Sequence, residues 1–222
     1  MTQEIKIEKK ASEVVQPENN KEARQAIRTK QDLSGADMKG MELDNLNAVG
    51  AVLRKTDLTG ADLSHSLLVN PNLYRASLHG AAVNNTLFIG GDFVKTSCKG
   101  ANLSDSLFLG VDAENASFEG ATLRDSAFVG ANLENADFTK SNLSDSRFAS
   151  TKVTGADFTD ANLSGARAYH VDWETAKVPP TFLPDPLVQI PRWVWSVLIG
   201  AILGIFAILI YGFSRKKKKT SD

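Results

Sequence analysis

Residues 101–130 read ANLSDSLFLG VDAENASFEG ATLRDSAFVG, a run in which an apolar residue, mostly Leu or Phe, recurs at every fifth position. The same series continues without a break from Leu33 to Trp173, over 29 positions, none of which is charged. Two residues before each position the side chain is usually Ala, Ser or Thr, and the residue between is Asp or Asn in 15 of the 29 cases. Neither the 3.6-residue period of a helix nor the two-residue period of a strand gives this pattern, so it indicates a repeat architecture.

The repeating unit has the form A-D/N-L/F-x-x. Three of its copies are ADLSH at residues 61–65, ANLSD at 101–105 and ANLEN at 131–135. In this unit and its recurrence the chain resembles the pentapeptide-repeat family over about two thirds of its length. The resemblance implies an all-β solenoid, a right-handed, quadrilateral β-helix with four pentads per coil and with the central and small residues pointing inward. We expect residues 31–175 to form about seven such coils.

If four pentads make one coil, residues twenty apart should stack on the same face. One such series is Phe88, Phe108, Phe128 and Phe148, and the opposite one is Leu103, Leu123 and Leu143. Gly closes many of the pentads, and Asn or Asp closes many of the others. These residue types tolerate the left-handed backbone of tight corners. The order at twenty residues therefore supports four pentads per coil.

Outward residues on three faces are mostly polar, but those on the face with the Phe series are apolar. We call ten of them the apolar stripe: Val49, Leu67, Val69, Leu87, Ile89, Leu107, Leu109, Ala127, Val129 and Ala149. Over five coil steps the stripe would be roughly 24 Å long and cover several hundred Å², a size that commonly marks an interaction site. The alternative is that the chain covers the stripe itself, with the segment around Ile5 and Ile7 or that around Val14 and Val15.

The ends of a solenoid need covering, because an open coil exposes unpaired backbone groups. We expect a capping helix at residues 20–30 for the upper end, and Trp173 is large enough to close the lower end. Residues 1–19 are polar and charged, which predicts a disordered tail. Residues 176–192 contain five prolines and predict an extended, semi-rigid linker.

Residues 193–213 form a 21-residue segment without a charged side chain. A helix of this length measures about 32 Å, enough to cross a hydrocarbon core of roughly 30 Å. Aromatic residues stand near both of its ends, where interfacial anchors belong. The sequence therefore predicts one C-terminal transmembrane α-helix and, at residues 214–222, a basic tail.

Small residues recur within the predicted span at spacings of four. Ser196, Gly200, Gly204 and Gly212 would lie in one row of the helix, where they permit close packing against a second helix. The basic tail favours a cytoplasmic carboxyl end. However, residues 1–20 contain no apolar stretch that resembles a signal peptide. We therefore expect a tail-anchored, single-pass membrane protein with its repeat domain on the cytosolic or stromal side.

Charge divides unevenly, with a net −8 over residues 31–175 and +5 over residues 176–222. An acidic repeat domain argues against nucleic-acid binding, and this balance predicts no basic surface on the rod. The histidines His65, His79 and His170 lack metal-ligand spacing. Cys98 takes an inward position, which predicts a buried thiol. With no phosphate loop or nucleophile motif either, we predict no catalytic, cofactor-binding or metal-binding residues and no enzymatic activity.

Three functions remain open. The leading hypothesis is a membrane-anchored scaffold, assembly or accessory protein whose apolar stripe binds a subunit of a membrane protein complex or a second copy of itself. By resemblance alone, membrane-associated pentapeptide-repeat proteins suggest a thylakoid membrane, with the plasma membrane as the alternative. A second hypothesis, also implied by the family, is an acidic rod that mimics duplex DNA and binds a type II topoisomerase. A third is a rod whose stripe docks on a lipid surface.

Overall fold

Backbone pairing in the computed structural model, which describes residues 14–181 and 183–186, follows a twenty-residue register. Its strands are β1 (Asn47–Val49), β2 (Leu67–Val69), β3 (Leu87–Ile89), β4 (Leu107–Leu109), β5 (Ala127–Val129), β6 (Arg147–Ala149), β7 (Arg167–Tyr169) and β8 (Asp185–Pro186). They form one eight-stranded parallel sheet in chain order. This sheet is one side of the solenoid.

The other three sides are held by single parallel bridges rather than by strands. They begin with Asp32 beside Val52, Asp37 beside Asp57 and Glu42 beside Asp62, and each series continues at intervals of twenty residues. Four ladders per twenty residues correspond to one ladder per pentad. The fold is therefore an all-parallel β-solenoid of about six turns.

About seven coils were expected, and the structure has about six. At the lower end the pairing leaves the twenty-residue register, because Asp157 pairs with Val178 and Arg167 pairs with Asp185. The solenoid thus continues through residues that the sequence assigned to the proline-rich linker.

Inward side chains of equal type stack on one another. Phe108 lies between Phe88 and Phe128, with ring centroids 5.1 and 4.8 Å away and the rings nearly parallel. Phe118 and Phe138 form a second stack at 4.8 Å, and the two stacks meet edge to face. Such contacts add about 0.5–1.5 kcal/mol per pair to the stabilisation from burial. The core is consequently a set of ordered columns along the rod.

Corner residues, at every fifth position, have a left-handed backbone. Their φ angles lie between 49° and 75°, for glycine and for other residues alike. Glycine adopts this conformation without steric cost, and Asn and Asp adopt it more readily than most other side chains. This preference explains why Gly, Asn and Asp close most pentads.

Helix α1 (Asn20–Arg28) covers the upper end and lies within the segment predicted to cap it. The Asn19 side chain accepts a hydrogen bond from the Glu22 amide and so caps the helix. Ala23, Ala26 and Ile27 are buried against the core. The Arg24 guanidinium donates to the Asp44 carboxylate at 2.5 Å. These contacts fix α1 on the first coil.

Residues 14–19 also contact the rod, although the sequence placed them in a disordered tail. The Val15 amide donates a 2.8 Å hydrogen bond to the Asp32 carbonyl, and the Val15 side chain packs against the core.

At the lower end a 3-10 helix, Trp173–Thr175, places the Trp173 ring edge-on to Phe148 and Phe158 at 5.3 and 5.4 Å. Trp173 is 8% exposed and covers the last aromatic layer.

Within residues 14–181 and 183–186, no helix has the length and apolar character needed to cross a membrane. The predicted transmembrane helix at 193–213, the basic tail at 214–222 and most of the predicted tail at 1–19 lie outside the described residues.

Buried hydroxyl groups two residues before the stacked rings of Phe108, Phe128 and Phe148 provide a test of the stacking. The Ser106 hydroxyl donates to the Val83 carbonyl at 2.8 Å and accepts from the Thr86 amide at 3.1 Å. The hydroxyls of Ser126 and Ser146, in the next two coils, are buried without a hydrogen-bond partner among the residues that the structure describes.

We predict that Ser106→Ala lowers the free energy of unfolding by about 1–3 kcal/mol, because it leaves a buried amide unsatisfied. The matched change Ser126→Ala should cost less than about 0.5 kcal/mol, since it removes no hydrogen bond. Urea denaturation followed by circular dichroism measures both. Equal losses for the two variants would contradict the assigned hydrogen bonds.

Candidate functional site: the apolar stripe

The apolar stripe lies on the outer face of the eight-stranded sheet, in two columns. The first column is Leu67, Leu87, Leu107 and Ala127, paired in register through β2–β5. The second is Val49, Val69, Ile89, Leu109 and Val129, from β1 to β5. The sequence therefore assigned these nine residues to one face, and the structure brings them together there.

Stacking partly shields the stripe from solvent. Val49, at its upper end, is 51% exposed, and the other eight residues are half-buried. The inward neighbours in the same strands, such as Leu68 and Phe88, are fully buried. Because the aliphatic side chains follow one another in register along each column, the stripe forms one continuous apolar surface.

Ala149 is the exception among the ten predicted residues. It is 6% exposed and therefore offers almost no surface to a partner. Its small methyl group lies in the ladder between Val129 and Tyr169, two larger neighbours. The predicted stripe is thus one coil shorter at its lower end.

Below the stripe, the first column continues with arginines instead of aliphatic residues. Arg147 and Arg167 follow Ala127 in register, and both are exposed. Neither guanidinium forms an ion pair with any residue described. This positive end was not predicted, although it is visible in the sequence when the column is followed at intervals of twenty residues.

Acidic corners border the stripe along one edge. Asp105, Asp125 and Asp145 occupy the corner two residues before β4, β5 and β6, and all three are exposed. Asp125 forms an ion pair with Arg124 at 3.1 Å. A partner of the stripe would consequently meet an apolar centre with a negative side and a positive end.

The Val14 and Val15 segment does not cover the stripe. Val15 pairs with Asp32 of the first coil, as described above, and Val14 is 45% exposed. Ile5 and Ile7, the other predicted cover, lie outside the described residues.

Aspartates before the central residue have a structural role. Asp57 and Asp157 each accept a hydrogen bond from the amide two residues later, at 3.0 Å. Hydrogen bonds from the Thr59 and Thr159 side chains are the main cause that lowers the pKa of Asp57 and Asp157, respectively. Asn takes the same part at several equivalent positions. The Asp and Asn preference therefore reflects turn formation rather than catalysis.

In the part of the chain that the structure describes, no group of three or more His, Cys, Asp or Glu side chains could hold a metal ion. The His170 ring stacks on Tyr169 at 3.9 Å. Ser196, Gly200, Gly204 and Gly212, predicted to pack against a second helix, lie outside the described residues.

A basic surface does exist on the rod, contrary to the expectation from net charge. Arg54, Lys55, Arg75 and Lys95 are exposed in three successive coils, at one corner and beside it. The guanidinium carbons of Arg54 and Arg75 each lie 5.2 Å from the centre of the Tyr74 ring. We call the four cations together with Tyr74 the basic cluster. The net charge of the repeat domain does not reveal this cluster, because the acidic residues of other faces outnumber its four cations.

Two family models match the sequence. One, described as a pentapeptide repeat region, matches residues 81–158 and 114–177. The other, described as pentapeptide repeats (8 copies), matches residues 32–69. No curated protein matches the chain.

Several solved structures are similar. Trypsin-treated QnrB1, a plasmid-mediated fluoroquinolone resistance protein, is 22% identical over 65% of this chain and 71% of that chain, with a TM-score of 0.39. HetL, involved in heterocyst differentiation regulation in the cyanobacterium Nostoc sp. strain PCC 7120, is 21% identical over 68% and 86%, with a TM-score of 0.36. A pentapeptide repeat protein from the Arabidopsis thaliana thylakoid lumen is 25% identical over 55% and 74%, with a TM-score of 0.17.

Substitutions that introduce a charge test whether the side chains of the stripe point outward. Ile89→Asp combined with Leu107→Asp should leave the rod folded, with a loss of about 1–2 kcal/mol, because both side chains reach solvent. Phe108→Asp, one residue along, should prevent folding because it buries a charge among aromatic rings. Circular dichroism melting curves of both proteins measure the difference. Unfolding of the double variant would show that the outward assignment is wrong.

Cys98 provides a second test of the core. Its side chain is fully buried, and burial raises the pKa of the Cys98 thiol to about 12. The reactive thiolate is therefore negligible at pH 8, and access is blocked as well. We expect no reaction with a thiol-specific disulfide reagent in the native state and one thiol per chain in denaturant. Rapid labelling of the native protein would contradict the inward placement of Cys98.

Proposed function

Because the chain belongs to the pentapeptide-repeat family, whose members are generally non-enzymatic structural or interaction proteins, we propose that it is a membrane-anchored scaffold. Its apolar stripe binds a protein partner, and a subunit of a membrane protein complex is the partner proposed. The observation that carries this proposal is the stripe: nine aliphatic residues in two columns on the outer face of an otherwise mostly polar rod.

Size makes the stripe the centre of an interface rather than the whole of it. From β1 to β5 it spans four coil steps, roughly 19 Å, and a width near 10 Å gives about 200 Å². A stable interface buries about 800 Å² per partner. The polar surroundings must therefore contribute a rim, and Asp105, Asp125, Arg147 and Arg167 are placed to provide it.

Backbone pairing restricts the way in which a partner can bind. In β2–β6 each strand pairs with the coils above and below it, so these strands offer no free edge. A partner cannot add a strand there. Recognition must use side chains, which favours a partner that presents an apolar helix face or a flat apolar surface.

The membrane enters the proposal through the sequence of residues 193–213, which are long and apolar enough for one span. Anchored in this way, the rod would lie on the cytosolic or stromal side of a plasma or thylakoid membrane. Tethering raises the effective concentration of a scaffold near membrane subunits, so that a small apolar stripe is sufficient for binding. Ser196, Gly200, Gly204 and Gly212 would permit the span to pack against a helix of the partner or of a second copy.

A DNA-mimicking rod is less well supported. That function needs an acidic surface that continues along the rod, but the stripe and the basic cluster each interrupt it. Docking of the stripe on lipid is also less well supported, since its described residues include no tryptophan and no lysine.

The proposal is tested by the native mass of the full-length protein after extraction from its own membrane in mild detergent. We expect migration in a large complex, with the partner identified by mass spectrometry of that band. Ile89→Asp with Leu107→Asp should release the protein from the complex. The control, Ala82→Asp with Thr122→Asp, adds the same charge on a polar face and should leave the complex intact.

Other native masses would lead to other conclusions about the stripe. A species of two chains that the stripe variant dissociates would make the stripe a homodimer surface. A lone monomer of the unaltered protein would overturn the scaffold proposal. Strong inhibition of DNA supercoiling by the full-length protein would instead favour the topoisomerase hypothesis.

A further inference from the structure

The basic cluster is not explained by the fold. Lys55, Arg75 and Lys95 occupy the same corner of three successive coils, with φ angles of 56–59°. Long side chains have no preference for this left-handed backbone. Elsewhere in the same corner column the residues are Gly35, Asn115, Asn135 and Gly155, which suit it better. Three cations in a row at this corner therefore cost local conformational energy.

Electrostatics add a second cost. Successive coils are about 4.8 Å apart, so the three corner residues stand in a column of like charge. Like charges at this spacing repel one another unless an anion lies between them. The column is thus unfavourable on both grounds, and a partner with negative charge would relieve the repulsion.

Among the described residues, no acidic side chain forms an ion pair with the cluster. Elsewhere several lysines pair with an acid in a neighbouring coil: Lys99 with Glu119, Lys152 with Glu134 and Lys39 with Asp57. In the described part of the chain no such ion pair involves the cluster's cations. Asp92, in the same coil as Lys95, accepts a hydrogen bond from the Val94 amide. The four cations remain available to a ligand.

Tyr74 orders part of the cluster. Both Arg54 and Arg75 hold their guanidinium groups 5.2 Å from its ring centre. Cation–π contacts of this kind restrict the rotation of a long side chain. A restrained guanidinium presents its fork of N–H donors in the geometry that carboxylates accept. The cluster is therefore organised for anionic groups before any ligand binds.

We propose that the basic cluster binds an acidic peptide segment of a protein partner. An extended segment with Asp or Glu at alternate positions places carboxylates about 6.7 Å apart on one side, and flexible lysines and arginines can meet them along the corner. Four cations suit three or four carboxylates. This site lies at the far corner of the side that adjoins the apolar stripe, and it does not depend on the function proposed for the stripe.

Nucleic acid fits the cluster less well. A phosphate chain needs a longer basic track, whereas the next two coils of this face carry Glu114 and Glu134. The Tyr74 ring already contacts two guanidinium groups, which leaves less of it for base stacking. An acidic peptide requires neither a long track nor a free aromatic face.

The probe for this site is a fluorescein-labelled oligoglutamate peptide, and its fluorescence anisotropy is measured with the full-length chain in nonionic detergent. All proteins carry Lys216–Lys219→Gln, so that the basic tail does not bind the peptide. We expect salt-sensitive binding that Lys55→Asn, Arg75→Asn and Lys95→Asn together weaken by about tenfold or more. The control Lys140→Asn removes a cation that has no ion pair among the described residues, at another left-handed corner, and it should leave binding unchanged.

Stability of the triple variant separates loss of the site from loss of the fold. It should melt at or above the temperature of the unaltered protein, because Asn suits the corner and the repulsion is removed. Peptide binding that survives in the folded triple variant would overturn the proposal. So would tighter binding, through the same three residues, of an oligothymidylate of equal charge or of phosphatidylserine in mixed micelles.

Discussion

Hydrogen bonds between coils twenty residues apart hold this molecule together, and all its other features depend on them. The Asn102 amide donates to the Ala81 carbonyl at 2.9 Å, and the Leu103 amide donates to the Thr122 carbonyl at 2.7 Å. Within one coil, some backbone amides thus bind the coil above and others bind the coil below. Because each coil offers the same pattern to the next, the rod is stabilised by neighbour-on-neighbour contacts, and its two ends require α1 and Trp173 as covers.

This register gives every side chain a neighbour of known number. Inward, it aligns aromatic rings face to face, as for Phe138 and Phe158 at 4.9 Å. Outward, it turns a chemical preference at one pentad position into a strip along the rod. The apolar stripe, the acidic corner of Asp105 and Asp125, and the basic cluster all arise in this way. Since outward side chains do not enter the core, these strips are the part of the molecule in which function can differ between rods of the same fold.

Sequence periodicity was sufficient to predict the inward series, the Phe stacks and nine of the ten stripe residues, because each follows from position within the twenty-residue period. Three features did not follow. Ala149 is buried because of the size of its neighbours Val129 and Tyr169, which a count of positions does not consider. The lower coil loses its register at Val178, where no pentad pattern remains. The basic cluster was overlooked because net charge was summed over the domain rather than along each column.

The central claim is that residues twenty apart stack in successive coils, and a distance between spin labels tests it most directly. His65→Cys and Asp145→Cys place labels at one exposed corner, four coils apart, while the buried Cys98 stays unlabelled. Electron–electron double resonance should give a single narrow distance of roughly 19 Å, four steps of about 4.8 Å. A broad distribution, or a separation beyond roughly 30 Å, would contradict the stacked register on which the stripe and the basic cluster both depend.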